Sequence, residues 1–207
     1  MENSLEKLIS QFKGQYSSIV REPEHKFSTL PKDRMEMEAR LMASYELNIE
    51  RRGGHVIWDK ETKEIIDKVV DWMYDEHRWL ILYGPFGTGK TSMLKTLRTI
   101  FPASTYCTAI NFFEEFKVNE KLPAIEDKKI LLLDDLGAES PICKIFGEDR
   151  TPITDLLLRR YDRFATTVIA TNMTLEEIQK RYGDRLADRI VEMAIAILYD
   201  MPSYRGR

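Results

Sequence analysis

The sequence predicts an α/β fold, a parallel sheet with helices on both faces. Two observations carry it. Five short apolar or β-branched runs recur along the chain: "WLILY" (79–83), "ASTYCT" (103–108), "KILLLD" (129–134), "TTVIAT" (166–171) and "AIAILYD" (194–200). Helical or turn segments separate them. Each run is continuous rather than alternating, the pattern of a strand covered on both sides. With 207 residues, the chain is long enough to bury a core of its own and suits one medium domain with an appendage.

Composition narrows the classes. Hydrophobic residues make up 43 % and charged residues 31 %, an ordinary soluble balance. The net charge of −3 gives no global basic field, so any contact with DNA has to come from a local patch. Cys107 and Cys143 lie far apart, and His25, His55 and His77 are scattered, so neither a disulfide framework nor a zinc site is expected. The start "MENSLEKLIS" lacks a signal-peptide pattern and no apolar run approaches a membrane span. A cytoplasmic location without a membrane partner is the expectation.

Residues 1–55 form the expected appendage, a charged helical arm, and residues 56–207 the main domain. Leu5, Leu8, Ile9 and Phe12 recur at helical spacing. Pro23 and Pro31 interrupt the chain, "PKDRMEMEARLMASYELNIERR" reads as a second helix, and "GGH" at 53–55 stops it. The arm is either a solvated helix packed on the main domain or a docking element for a partner protein. In "TKEIIDKVVDWMYDEH", Ile65, Ile66, Val69, Trp72 and Met73 share one helical stripe ahead of the first strand.

That strand runs straight into "GPFGTGKTS", in which Gly84, Gly89, Lys90 and Thr91 satisfy G-x-x-x-x-G-K-[ST]. Glycines let successive backbone N–H groups curl around one anion. The loop Gly84, Pro85, Phe86, Gly87, Thr88, Gly89, Lys90, Thr91 and Ser92 is therefore the expected polyphosphate cradle. Lys90 brings charge to the β- and γ-phosphates and Thr91 a hydroxyl for Mg²⁺. The following helix, seated by Met93, Leu94, Leu97 and Ile100, adds the positive end of its dipole.

The third run ends in two adjacent aspartates, "ILLLDDLGAES", for which packing gives no reason. A bound cation does. Asp134 is placed to hold the water shell of the Mg²⁺ that Thr91 ligates. Asp135 points elsewhere and is the candidate to orient or polarise an attacking water. Glu139 is a weaker candidate for that task and reads more readily as a solvent-facing loop acid. Asn172, just past the fourth run, is placed to hydrogen-bond a γ-phosphate or the water. Equally it can make an Asx turn, and Thr174 with Glu177 forms a capping-box signature. In "KRYGDRLADRIVEM", Gly183 ends one helix and Asp184 starts another. Leu186, Ile190 and Met193 make its buried stripe, so Arg185 and Arg189 project from a common side. By spacing alone, a surface ladder with Asp184 and Asp188 is favoured over phosphate recognition.

Taken together, "YGPFGTGKTS", "ILLLDDLGAES", "VIATNMTLEEI", "RYGDRLADRI" and "PSYRGR" resemble the DnaC/IstB group of AAA+ ATPases, which contains helicase loaders and related transposition helpers. The similarity covers about residues 56–207. It implies a P-loop NTPase with a five-stranded AAA+ sheet in which the fourth strand lies between the first and third. It implies Mg²⁺-dependent ATP hydrolysis. It places Arg189 at the family's arginine-finger position, acting on a neighbouring subunit, with Arg185 one turn before it and Arg205 resembling a second sensor. A finger given in trans implies self-association. Residues 1–55 carry no cysteine cluster of the kind found in some loaders, and the chain stops too soon after the fifth strand for a C-terminal helical lid.

Family members bind single-stranded DNA through basic and aromatic groups. The candidates here are Phe113, Phe116 and Lys117 in "NFFEEFK", and Arg159, Arg160, Tyr161 and Arg163 in "LLRRYDRF". Phe112, Phe113 and Phe116 sit at helical spacing, so core packing is expected for at least two. The leading expectation is an ATPase of DNA replication that loads or remodels a replicative helicase. An accessory ATPase delivering a transposase, or a small P-loop kinase working as a monomer, are the alternatives.

Overall fold

All five apolar runs lie side by side in one parallel sheet. Its strands are β1 (Trp79–Tyr83), β2 (Thr105–Thr108), β3 (Ile130–Leu136), β6 (Thr166–Thr171) and β7 (Ala194–Leu198). They follow the spatial order β2-β3-β6-β1-β7. The fourth run, β6, pairs with β1 on one side and β3 on the other, as the family resemblance implies. Between β3 and β6 the chain makes a short antiparallel hairpin, β4 (Cys143–Ile145) with β5 (Glu148–Arg150). The computed structural model describes residues 7, 9–12, 26–27, 30–119, 124–145 and 147–200.

Pleating sends alternate side chains to opposite faces. Leu80, Leu82, Leu132 and Val168 pack under α1 (Arg34–Glu50), α2 (Lys60–Tyr74) and α3 (Lys90–Ile100). Trp79, Ile81, Leu131, Leu133 and Ile169 face α4 (Ala109–Asn119), α5 (Pro152–Asp162), α6 (Leu175–Tyr182) and α7 (Asp184–Met193). Both faces are thus apolar, which is why the runs read as continuous. Local chemistry fixes the helix starts: Asp33 accepts from the Met35 amide, Asp59 from the Thr62 amide, and Thr174 with Glu177 closes the anticipated capping box.

Three features bear on the sequence expectations. Helix α1 packs on the main domain, one of the two readings of the arm, with Met37, Leu41, Tyr45 and Ile49 buried in the same core cluster as Leu94 and Leu97 of α3. Among the described residues one core cluster includes side chains from both sides of residue 55. The β4–β5 hairpin is unanticipated, because three-residue strands are too short to show periodicity. Phe112, Phe113 and Phe116 are all buried, so Phe113 and Phe116 do not offer stacking faces to DNA. Of the expected first helix, residues 7 and 9–12 are helical, with Ile9 and Phe12 exposed, whereas Leu5, Leu8 and Arg205 in "PSYRGR" lie outside the described residues.

Candidate nucleotide-binding site

The loop from Gly84 to Ser92 emerges from the carboxyl end of β1 and opens into α3, forming one wall of a cleft of about 420 Å³. Gly84 has φ +136°, and a Cβ there would lie 2.5 Å from the carbonyl oxygen of Tyr199. Gly89, the residue before α3, has φ +100°. Only glycine takes such a path readily, and it leaves the first amides of α3 without side-chain caps. Lys90 curls back along the loop and donates to the carbonyls of Gly84 (2.7 Å) and Pro85 (2.6 Å). Burial lowers its pKa, opposed by the charges of Asp135 and Asp134. The loop thus presents a cation and a helix N-terminus to one concavity, the arrangement that suits a polyphosphate.

The two aspartates separate as expected, by a device the sequence does not reveal. Pairing of β3 with β6 shifts register between Leu133 and Leu136, and Asp135 sits in the left-handed region at φ +54°. Such a bulge re-aims one side chain. Asp134 is 1 % exposed, whereas Asp135 is exposed and lines the cleft. Asp134 Oδ1 accepts from the Thr91 hydroxyl and from the Asp135 amide, both at 3.1 Å. Its Oδ2 accepts from the Tyr106 hydroxyl at 2.6 Å. Burial and this carboxylate push the Tyr106 pKa upward, so the phenol stays a donor. A buried carboxylate whose hydrogen-bond partners are all neutral fits a cation. The hydroxyl and carboxylate are hard oxygen donors of the kind Mg²⁺ takes, with phosphates and waters completing its shell. Among the described residues no three His, Cys, Asp or Glu side chains gather to hold a metal by themselves.

Asn172 lines the same cleft. The preceding Thr171 fixes it, donating to the Leu136 carbonyl (2.7 Å) and accepting from the Met173 amide (3.1 Å). Lys90, Thr91, Asp135 and Asn172 therefore meet at one opening, with Asp134 behind Thr91. Ile49, Arg52, Gly53 and Gly54 close the far side. These four belong to the segment expected to be a separate arm. Nothing in their residue types signals a binding role, although the Gly-Gly pair marks a tight turn.

Glu139 is not the solvent-facing acid that its loop position suggests. It is 5 % exposed and accepts from the Gly137 amide at 3.0 Å and from the Tyr182 hydroxyl. Arg160 is likewise corrected: it is fully buried and donates to Thr167 Oγ1 and to the carbonyls of Ile125, Glu126, Lys128 and Thr166. Such a residue holds the loop before β3 and offers nothing to DNA. Arg159 pairs with Glu126 at 3.4 Å and Arg163 with Asp127.

Arg185 and Arg189 lie on α7 and do not line the cleft of their own chain. Arg189 pairs with Glu192 at 3.0 Å, not with Asp184 or Asp188, and stacks over the Tyr161 ring at 4.7 Å. Tyr161 in turn donates to Glu192 at 2.7 Å.

No protein-family model matches the chain. Among curated proteins, the replicative helicase loader DnaI of Bacillus subtilis (strain 168) is 28 % identical over 144 residues, a match that spans 58 % of this chain and 45 % of the relative. The chain thus spans less than half the length of the curated relative it matches. Among solved structures, a crystal structure of DnaI superposes with a TM-score of 0.57 at 24 % identity, covering 81 % of this chain and 93 % of that one. AMPPCP-bound DnaA from Aquifex aeolicus gives 0.53 at 18 % identity, covering 72 % and 50 %. The fold is that of these DnaI and DnaA structures, and in sequence the chain is similar to DnaI over those 144 residues.

Proposed function

We propose that the chain is an ATP-binding and ATP-hydrolysing accessory protein of DNA replication, resembling a replicative helicase loader and acting with a ring helicase and single-stranded DNA. The observation that carries this reading is the convergence of Lys90, Thr91, Asp134, Asp135 and Asn172 at the tips of three neighbouring strands. That grouping supplies phosphate binding, metal anchoring and water orientation together, and the similarity to DnaI supports the placement in replication.

In this reading Lys90 and the loop amides hold the phosphates while Thr91 and Asp134 hold Mg²⁺. When bound, the metal offsets charge on the β- and γ-phosphates. Asp135, exposed at the cleft, orients and polarises the attacking water. Asn172 hydrogen-bonds the γ-phosphate or that water. Arg189 reaches the site of a neighbouring subunit, with Arg185 beside it and Arg205 as a second sensor. Its release from Glu192 and Tyr161 costs little, because an exposed ion pair is weak. Self-association through this finger and a cytoplasmic location belong to the same reading.

Steady-state ATP hydrolysis with and without single-stranded DNA tests it. The expected result is slow turnover that rises with DNA and falls on Arg189→Ala, with nucleotide affinity retained. Turnover untouched by Arg189→Ala removes the trans finger. Phosphoryl transfer to a small acceptor by a monomer favours a kinase instead. Capture of a purified replicative helicase by the full chain tests the partner.

A further inference from the structure

We propose that Tyr106 is a positioning residue for the metal-anchoring carboxylate, an inference that rests on the nucleotide and Mg²⁺ reading above. Tyr106 lies on β2, whose register sets it opposite Leu132 and sets Thr108 opposite Asp134. Side chains of residues 106, 132 and 134 therefore share the sheet face covered by α3. From that position the phenol spans to Asp134 and donates to Oδ2 at 2.6 Å, while Oδ1 faces the Thr91 hydroxyl at 3.1 Å. The two oxygens have separate duties: one faces the phosphate loop and the other is held from behind.

This division matters because the carboxylate torsion of an aspartate is soft and nearly two-fold, so an unheld carboxylate samples several orientations. The backbone of β3 holds Oδ1 alone, the Asp135 amide donating to it at the start of a bulge, and Tyr106 supplies the donor to Oδ2. Tyr106 is itself kept in place, half-buried against the apolar cluster under α3, with the Arg98 guanidinium 6.0 Å over its ring. A rigid donor behind a metal ligand sets the ligand's direction and charge, and loss of such a partner typically weakens metal binding about 10–100-fold. Nothing in the local sequence marks the residue, for "STYCT" is an ordinary strand and its role appears only through pairing of β2 with β3.

The test is equilibrium binding of a fluorescent, non-hydrolysable ATP analogue by the full chain, titrated with Mg²⁺ and repeated in EDTA. Tyr106→Phe removes the donor and keeps the ring. Tyr106→Leu removes the donor independently, so whichever variant folds, by its melting curve, serves. The expected result is an apparent Mg²⁺ affinity about tenfold weaker or more, with analogue affinity in EDTA within about twofold of wild type. In an Asp134→Asn background, Tyr106→Phe should cause no further loss. Unchanged Mg²⁺ affinity in Tyr106→Phe overturns the proposal, and so does an equal loss with and without metal, which marks general damage. If the wild-type chain itself shows no Mg²⁺ dependence, the nucleotide–metal reading fails and this inference with it.

Discussion

The hydroxyl of Tyr182 donates to the buried carboxylate of Glu139, 43 residues away in sequence. The Arg181 guanidinium reaches the Glu139 backbone carbonyl beside it. The loop that follows Asp134 and Asp135 is thereby tied to the end of α6, one residue before Gly183 and the start of α7. The contact joins that loop to the base of the helix that carries Arg185 and Arg189.

Tyr182→Phe leaves the Glu139 carboxylate short of one donor in a buried setting. An unsatisfied buried partner costs about 1–3 kcal/mol, and urea denaturation should show a loss of that size. Because the carboxylate is already engaged, Glu139→Gln should cost stability and leave nucleotide affinity near wild type. A loss of hydrolysis with full stability would instead restore Glu139 as a candidate base.

Arg160→Ala strips the donor from four carbonyls and one hydroxyl. Several orphaned buried acceptors together predict a loss of at least about 3 kcal/mol. The burial that lowers the Arg160 pKa to about 10 leaves it charged at neutral pH, so the side chain is a structural cation. Arg160→Lys, if it folds, should bind single-stranded DNA as wild type does.

The glycines separate by their surroundings rather than by their dihedrals. Gly84→Ala drives a methyl into the backbone of Tyr199, which cannot swing aside, and should cost about 2 kcal/mol or more. At Gly53, with φ +76°, an added methyl would meet nothing within 4 Å, so Gly53→Ala should cost only the conformational strain, about 1 kcal/mol. Equal losses in the two variants would contradict the close approach of the chain after β7 to the phosphate loop.

Lys26 donates to the Asp75 carbonyl at 2.7 Å and lies over the Trp72 ring. Burial is the main cause that lowers its pKa from 10.5 to about 8, with Asp75 opposing and Arg78 assisting. Between these values the unfolded chain binds more protons than the folded one, so stability rises with pH across the window. Below pH 8 both states are protonated and the contribution is flat. Denaturant midpoints from about pH 7 to 10.5 should rise more steeply in the wild type than in Lys26→Met. Parallel profiles would contradict the buried amine.

The sheet and the phosphate loop are legible in the sequence because each depends on local pattern. Strands covered on both faces must be apolar throughout, and a backbone cradle for an anion must be glycine-rich. Tyr106, Glu139 and Arg160 are illegible or misleading there for the opposite reason. Their partners lie 28, 43 and up to 35 residues away, and only strand order brings them together. The separation of Asp134 from Asp135 follows from their adjacency on a strand, yet the bulge that produces it leaves no compositional trace. The segment around Ile49 and Gly54 resists assignment because high charge on α1 hides four buried positions one turn apart.

Calorimetric titration of ATP or AMPPCP into the full chain, with Mg²⁺ and with EDTA, bears most directly on the site. Saturable binding that strengthens with Mg²⁺ is expected in the wild type. That gain should vanish in Asp134→Asn, and affinity should fall at least about tenfold in Lys90→Ala, which loses a charge-assisted phosphate contact. A folded wild-type chain that takes up no nucleotide, or a Lys90→Ala variant that binds it undiminished, would contradict the assignment of this cleft.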